Sequence, residues 1–154
     1  MTARLVMNPT PVVLRRTARL GEAARVILEH HFRNLPVVDE AGRYLGVVSA
    51  NRLLSLLLPK AATIEGAALE ALPFVKDTLD DLRARWRDAR ELPVTDCLDT
   101  DVETVTPETS LVETLLSLYH NRTSLPVVEV GTGRLVGIVS HWTVGSVIVG
   151  EGGS

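Results

Sequence analysis

Four histidines and a single cysteine are the side chains of this 154-residue sequence best able to bind a metal or attack a substrate. Their spacing serves neither purpose. His30, His31, His120 and His141 show no Glu-x-x-His arrangement, and Cys97 stands alone, so neither a cysteine–histidine metal cluster nor an intramolecular disulfide can form. Cys97 reads instead as a small buried hydrophobe. The glycines sit in turns and not in a phosphate-cradling loop. Asp80-Asp81 and Arg83, Arg85 and Arg87 read as the solvated side of a helix. Catalysis has no residues to carry it, and the chain reads as a non-enzyme. Two hydroxyls remain of interest, Ser49 and Ser140, each closing an apolar stretch: Gly46-Val47-Val48-Ser49 and Gly137-Ile138-Val139-Ser140. A serine there suits the N-cap of a following helix.

Those two stretches belong to a longer duplication. Leu35-Pro36-Val37-Val38 through Gly42-Arg43 to Gly46-Val47-Val48-Ser49 returns as Leu125-Pro126-Val127-Val128 through Gly133-Arg134 to Gly137-Ile138-Val139-Ser140. A duplicated unit folds as a pseudo-symmetric pair, which makes the groove between the halves the place to look for function. Each copy carries the same local signals. β-Branched runs at Pro11–Leu14 and Val102–Val105 predict a first strand. Leu20, Ala23, Ala24, Ile27, Leu28 and His31 recur at helical spacing. The second copy's helix starts at Ser110 with Glu113 three residues on, and continues through Leu115, Leu118 and Tyr119. Two apolar strands then flank a glycine turn as a hairpin, and short apolar helices follow at 50–58 and 141–149. The fold class is α+β: two β-α-β-β-α units packed about a pseudo-two-fold axis. A unit of under about 60 residues buries too little surface to stand alone.

The units occupy 1–58 and 94–149, with a helical insertion at 59–93 and a frayed tail at 150–154. Pro59 closes the first unit and Pro93 opens the second. Within the insertion, Thr78 and Asp81 predict a capping box, and Leu79, Leu82, Trp86 and Ala89 form one stripe. That stripe packs on its own module or offers Trp86 to a partner. Hydrophobic content of 45% with 23% charged residues describes a globular chain. A net charge of −3 gives no general attraction to nucleic acid. No apolar stretch is long enough to span a bilayer and no signal pattern opens the chain, so a cytoplasmic protein without membrane insertion is expected.

The ordered motifs resemble the cystathionine-β-synthase (CBS) domain pair, or Bateman module. The Leu-Pro-Val-Val strand, the turn glycine, the Gly-x-Val-Ser strand and the Leu-x-Glu helix start (Leu20–Glu22, Leu111–Glu113) all occur twice. Met7-Asn8-Pro9 and Val94-Thr95-Asp96 resemble the lead-in to each copy. The resemblance implies adenosine-containing ligands such as AMP, ADP, ATP, NAD or S-adenosylmethionine in the grooves between units. It places ligand contacts at Val12 and Glu103 on the first strands, and at Phe32, Arg33, Asn34, Thr123 and Ser124 before the Leu-Pro pairs, with Pro36 and Pro126 beside them. Ser49 and Ser140 complete the set at the sugar–phosphate end, where His141 can meet a phosphate.

One departure bears on affinity. Three residues after each serine the family places an aspartate; here Arg52 and Thr143 stand there. Losing one charged acceptor for the ribose hydroxyls costs on the order of 1.5–3 kcal/mol, roughly ten- to a hundredfold in affinity. Arg52 can instead pair with phosphate. The resemblance therefore implies a ligand-sensing regulatory module that acts in trans on an unknown partner and assembles as a homodimer. The alternative is a dimerisation or protein-interaction module that has lost its nucleotide.

Overall fold

Two hairpins organise the molecule, and their register shows the duplication residue by residue. In the computed structural model, which describes residues 1–58 and 77–150, β2 (Asn34–Val38) runs antiparallel to β3 (Tyr44–Ser49) with Leu35 opposite Val48, Pro36 opposite Val47 and Val37 opposite Gly46. In the second copy β4 (Leu125–Val128) pairs with β5 (Leu135–Val139) in the same register: Leu125 with Val139, Pro126 with Ile138, Val127 with Gly137. Both hairpins slip by one residue at the same place, between Val37 and Val38 and between Val127 and Val128.

Short elements surround the hairpins. A two-residue β1 (Leu14–Arg15) lies parallel to β2, and α1 (Leu20–His30) precedes it in the chain. Next come α2 (Ala50–Ser55) and α3 (Leu79–Ala89), then α4 (Leu111–Asn121) before β4 and α5 (His141–Ile148) after β5. The first strands are far shorter than expected. Val12 lies ahead of β1, and in the second copy Val102–Val105 reduces to one bridge between Val105 and Val127. Two local features explain this. Pro9 and Pro11 lack the N–H that a ladder needs. The side chains of Asn8 and Asp99 also accept the N–H of Thr10 (3.0 Å) and Asp101 (2.9 Å), turning the chain where a strand would run.

The core divides in two, and each half borrows from the other copy. Leu14, Leu20, Ala23, Ile27, Leu35, Val37 and Val48 pack with Val94 and Cys97; Val105, Leu118, Leu125, Val127 and Val139 pack with Ala3 and Val6. The lead-in of each repeat thus completes its sister's core. Reciprocal backbone hydrogen bonds fix the exchange: Asn8 N–H to Ile138 O (2.7 Å) and back (3.0 Å) match Asp99 N–H to Val47 O (2.8 Å) and back (3.0 Å). Tyr44 N–H to Gly133 O (2.9 Å) likewise matches Leu135 N–H to Gly42 O (3.0 Å). These pairs are the pseudo-two-fold axis written in hydrogen bonds.

Helix faces are narrower than the periodicity suggests. Leu20, Ala23 and Ile27 are buried in α1, but Leu28 is 74% exposed, and His31 is exposed beyond the helix end. In α4 Leu118 is buried while Tyr119 faces solvent. The helix from residue 50 stops at Ser55, and 56–58 form a turn. The capping box of α3 is present, with Thr78 N–H donating to Asp81 (2.8 Å) and Asp81 N–H to Thr78 Oγ1 (3.3 Å). Trp86 packs against the first unit's core and Ala89 is buried, while Leu79 at the start of the stripe is exposed. Arg85 departs from the solvated reading: it is half-buried, paired with Asp77, and donates to Leu57 O (3.0 Å), tying α3 to the end of α2. Pro59, the remainder of the insertion to residue 76 and the tail from 151 lie outside the described residues.

Candidate functional site

Between the units lies a cavity of about 800 Å³. Val12 reaches it from ahead of β1, Phe32, Arg33 and Asn34 from the α1–β2 connection, and Pro36 from β2. The other unit supplies Thr123 and Ser124 between α4 and β4, then Ser140, His141 and Thr143 where β5 turns into α5. These ten expected residues share one wall. Ser49, Arg52, Glu103 and Pro126 do not line it.

Asn8, Pro11, His31, Arg122, Ile138 and Trp142 also line the cavity, though the sequence assigns none of them a ligand contact. His31, Arg122 and Trp142 each sit next to a residue to which it assigns one. Asn8 arrives only because the lead-in of the first copy crosses to β5 of the second.

Local geometry holds the wall in place. Asn34 Nδ2 donates to Thr123 Oγ1 at 2.7 Å, joining the two residue sets that precede the Leu-Pro pairs. The Phe32 ring stacks on His30 with centroids 4.9 Å apart and planes 7° from parallel. Ser140 and Thr143 form a reciprocal cap on α5: Thr143 N–H donates to Ser140 Oγ (3.1 Å) and Ser140 N–H to Thr143 Oγ1 (2.9 Å). The replacement of aspartate by threonine therefore keeps the helix start. His141 and Trp142, first-turn residues whose N–H groups have no intrahelical acceptor, both line the cavity.

The charge of this wall differs from that of the whole chain. Arg33, Arg122, His31 and His141 line it, and no aspartate or glutamate among the described residues does. Val12, Pro11, Pro36 and Ile138 supply apolar surface. An anion with a flat apolar portion suits such a wall.

The sister positions have other commitments. Ser49 caps α2 by accepting Arg52 N–H at 2.9 Å, and Arg52 is exposed. Glu103 occupies the place of Val12, and its carboxylate accepts from Asn121 Nδ2 and from Ser117 Oγ (2.8 Å). These donors, Asn121 first and Ser117 second, hold its pKa below the ordinary 4.5 against a small opposing effect of burial. The two sister positions are thus unequal: Val12 is apolar and lines the cavity, whereas Glu103 holds a fixed negative charge and does not.

The CBS domain model matches residues 3–59 and 89–149. The chain belongs to the CBS-domain family. A stretch of 53 residues is 40% identical to the chloroplastic CBS domain-containing protein CBSX2 of Arabidopsis thaliana, a match spanning 34% of this chain and 22% of that protein. The structure of CBSX2 in complex with AMP superposes with a TM-score of 0.65 at 23% identity, covering 93% of this chain and 92% of that one. The CBS domain pair of protein MJ0100, in complex with 5′-methylthioadenosine and S-adenosyl-L-methionine, gives a TM-score of 0.60 at 16% identity, over 96% and 98% of the two chains. These likenesses establish the fold as two CBS units. Among the described residues, no helix is long and apolar enough to cross a membrane, and no cluster of three or more His, Cys, Asp or Glu side chains could hold a metal ion.

Proposed function

We propose that this CBS pair is a cytoplasmic regulatory module that admits an adenosine-containing nucleotide to the cavity beside Val12 and acts in trans on a partner protein. The observation that supports this most is the cavity wall itself: apolar residues beside four basic side chains, and no Asp or Glu among the described residues that line it. Adenine packs against Val12, Pro36 and Ile138. Asn34, Thr123, Ser124, Ser140 and Thr143 offer polar groups to the ribose. Arg33, His141 and the first-turn N–H groups of α5 meet the phosphate. Solved CBS pairs with AMP, or with S-adenosyl-L-methionine and 5′-methylthioadenosine, support this class of ligand. ADP, ATP and NAD share its adenosine portion. The nucleotide shifts the balance between arrangements of the units by binding one of them more tightly. Ser49, Arg52 and Pro126 frame the sister groove, where the fixed Glu103 carboxylate opposes phosphate, so we assign the ligand to the Val12 side.

The test is a thermal-shift panel with AMP, ADP, ATP, NAD and S-adenosylmethionine at millimolar concentration, with and without magnesium. A ligand at a hundred times its Kd adds about 2.7 kcal/mol, several degrees for a chain of this size. A flat panel ends the nucleotide reading.

A second reading rests on the exposed apolar surface of α4 and α5. Tyr119 is 74% exposed and Trp142 83%, and α5, which carries no Asp, Glu, Lys or Arg, buries none of its residues. A helix apolar on most sides wants a cover. On this reading the pair is a homodimeric docking module that has lost its nucleotide. A monomer by sedimentation at tens of micromolar protein would count against it.

A further inference from the structure

Among the described residues, two without the freedom of glycine adopt positive φ, and they are sister positions of the repeat. His31 ends α1 at φ 58°, ψ 38°, and Arg122 ends α4 at φ 58°, ψ 16°. Glycine is the usual residue at a left-handed helix end, because any Cβ there crowds the backbone. Histidine tolerates the conformation better than most residues, but arginine has no local bond to offset it. The helix ends are already closed by the backbone, His31 N–H donating to Ile27 O and Arg122 N–H to Leu118 O. The side chains are exposed and take no part in that closure. Both line the same cavity, one from each unit, on a wall without a carboxylate among the described residues. Strained residues of this kind concentrate where function holds them.

We propose that His31 and Arg122 form an anion clamp across the two units, gripping the phosphate of the bound ligand from opposite sides. The ligand's identity rests on the nucleotide reading above; the clamp itself requires only a phosphate. A phosphate between them links the first unit to the second, and Arg122 can hold it with two parallel N–H bonds. The clamp makes the site prefer phosphorylated adenosines to adenosine itself. A plain structural role, such as favouring the negative end of each helix dipole, predicts no such preference.

The experiment is calorimetric titration of adenosine, AMP, ATP and inorganic tripolyphosphate into wild-type protein and into His31→Asn, Arg122→Asn and Arg122→Gly. Asparagine and glycine both accept the left-handed conformation, so the melting temperatures should equal or exceed the wild-type value. Each variant should lose roughly tenfold or more in affinity for AMP and ATP, the scale of one charged hydrogen bond, while adenosine binding stays within about twofold. Phosphorylated ligands bound within twofold of wild type, or an equal loss for adenosine, would overturn the clamp and leave the nucleotide reading standing. If no adenine compound binds wild type, the nucleotide reading falls. The clamp then stands only if tripolyphosphate binds wild type and not Arg122→Asn, and it falls otherwise.

Discussion

Changing Gly137 to alanine tests the exchange of lead-ins that builds both core and cavity. A Cβ at this position would lie 2.7 Å from Met7 Sδ, 2.9 Å from Asn8 O and 3.1 Å from Met7 Cγ. The thioether can turn aside, since methionine is the most adaptable of core side chains. The Asn8 carbonyl cannot. It accepts Ile138 N–H at 3.0 Å while Asn8 N–H donates to Ile138 O at 2.7 Å, so retreat by a few tenths of an ångström stretches both bonds. Overpacking of this kind costs about 1–3 kcal/mol, and two weakened hydrogen bonds add to it. We expect a loss of about 2–3 kcal/mol, a fall in Tm of roughly 4–12 °C for a chain of this length. Circular dichroism on heating and in urea measures it. Asn8 and Ile138 both line the cavity, so ligand affinity should fall as well. The sister substitution Gly46→Ala meets Asp99 O at 2.9 Å with φ at +150° and should be at least as damaging. A Gly137→Ala protein melting within about 1 °C of wild type would refute the reasoning, because it would mean that the first lead-in does not press on β5.

Gly145→Ala should act in the opposite direction: nothing lies within 4 Å of its Cβ, and alanine inside α5 should add about 0.5–1 kcal/mol in the same melts. Thr78→Ala removes half of the α3 capping box and should cost about 1 kcal/mol; an unchanged melting temperature would show that α3 contributes nothing to the fold. Asp39 gives a pH test. Its buried carboxylate accepts from Arg43 N–H, Arg43 Nε and Ala41 N–H, each at 2.9 Å. The Arg43 backbone N–H is the largest influence and outweighs burial, holding the pKa below the ordinary 3.8. A depressed carboxylate stabilises the fold above its unfolded-state pKa and loses that effect as pH falls through the lower folded value. Wild type should therefore exceed Asp39→Asn in stability from neutrality to about pH 4, with the difference shrinking on the acid side of 3.8; a difference independent of pH would remove the carboxylate from the account.

What was legible in the sequence was local or repeated. The hairpins, their glycine turns and the helix caps at Ser49, Thr78, Ser110 and Ser140 depend on neighbours a few residues apart, and each caps its helix. The duplication itself carried the pairing of strands. The first strands are shorter than the sequence predicts because β-branched residues signal extension while prolines and Asx turns remove the ladder. Long-range features left no local signal. Nothing in Ala3 and Val6 announces that they pack beside Val105 and Val139, or in Val94 that it belongs with Leu20. The inequality of the sister positions was half visible: Glu103 in place of valine is written in the sequence, while its anchoring by Ser117 and Asn121 is not. The left-handed conformation of His31 and Arg122 is not legible, because a left-handed backbone at a non-glycine residue has no sequence signature.

The central claim, an adenine nucleotide bound beside Val12, is tested most directly by calorimetric titration of AMP into wild-type and Val12→Glu protein. The substitution writes the sister residue, Glu103, into the groove that lacks it. The account predicts one AMP per chain for wild type, with a Kd of about tens to hundreds of micromolar given the missing ribose carboxylate. It predicts binding at least about tenfold weaker for Val12→Glu, whose carboxylate would stand unpaired beside the ligand. Equal affinity in the two proteins, or no binding by wild type, would contradict it.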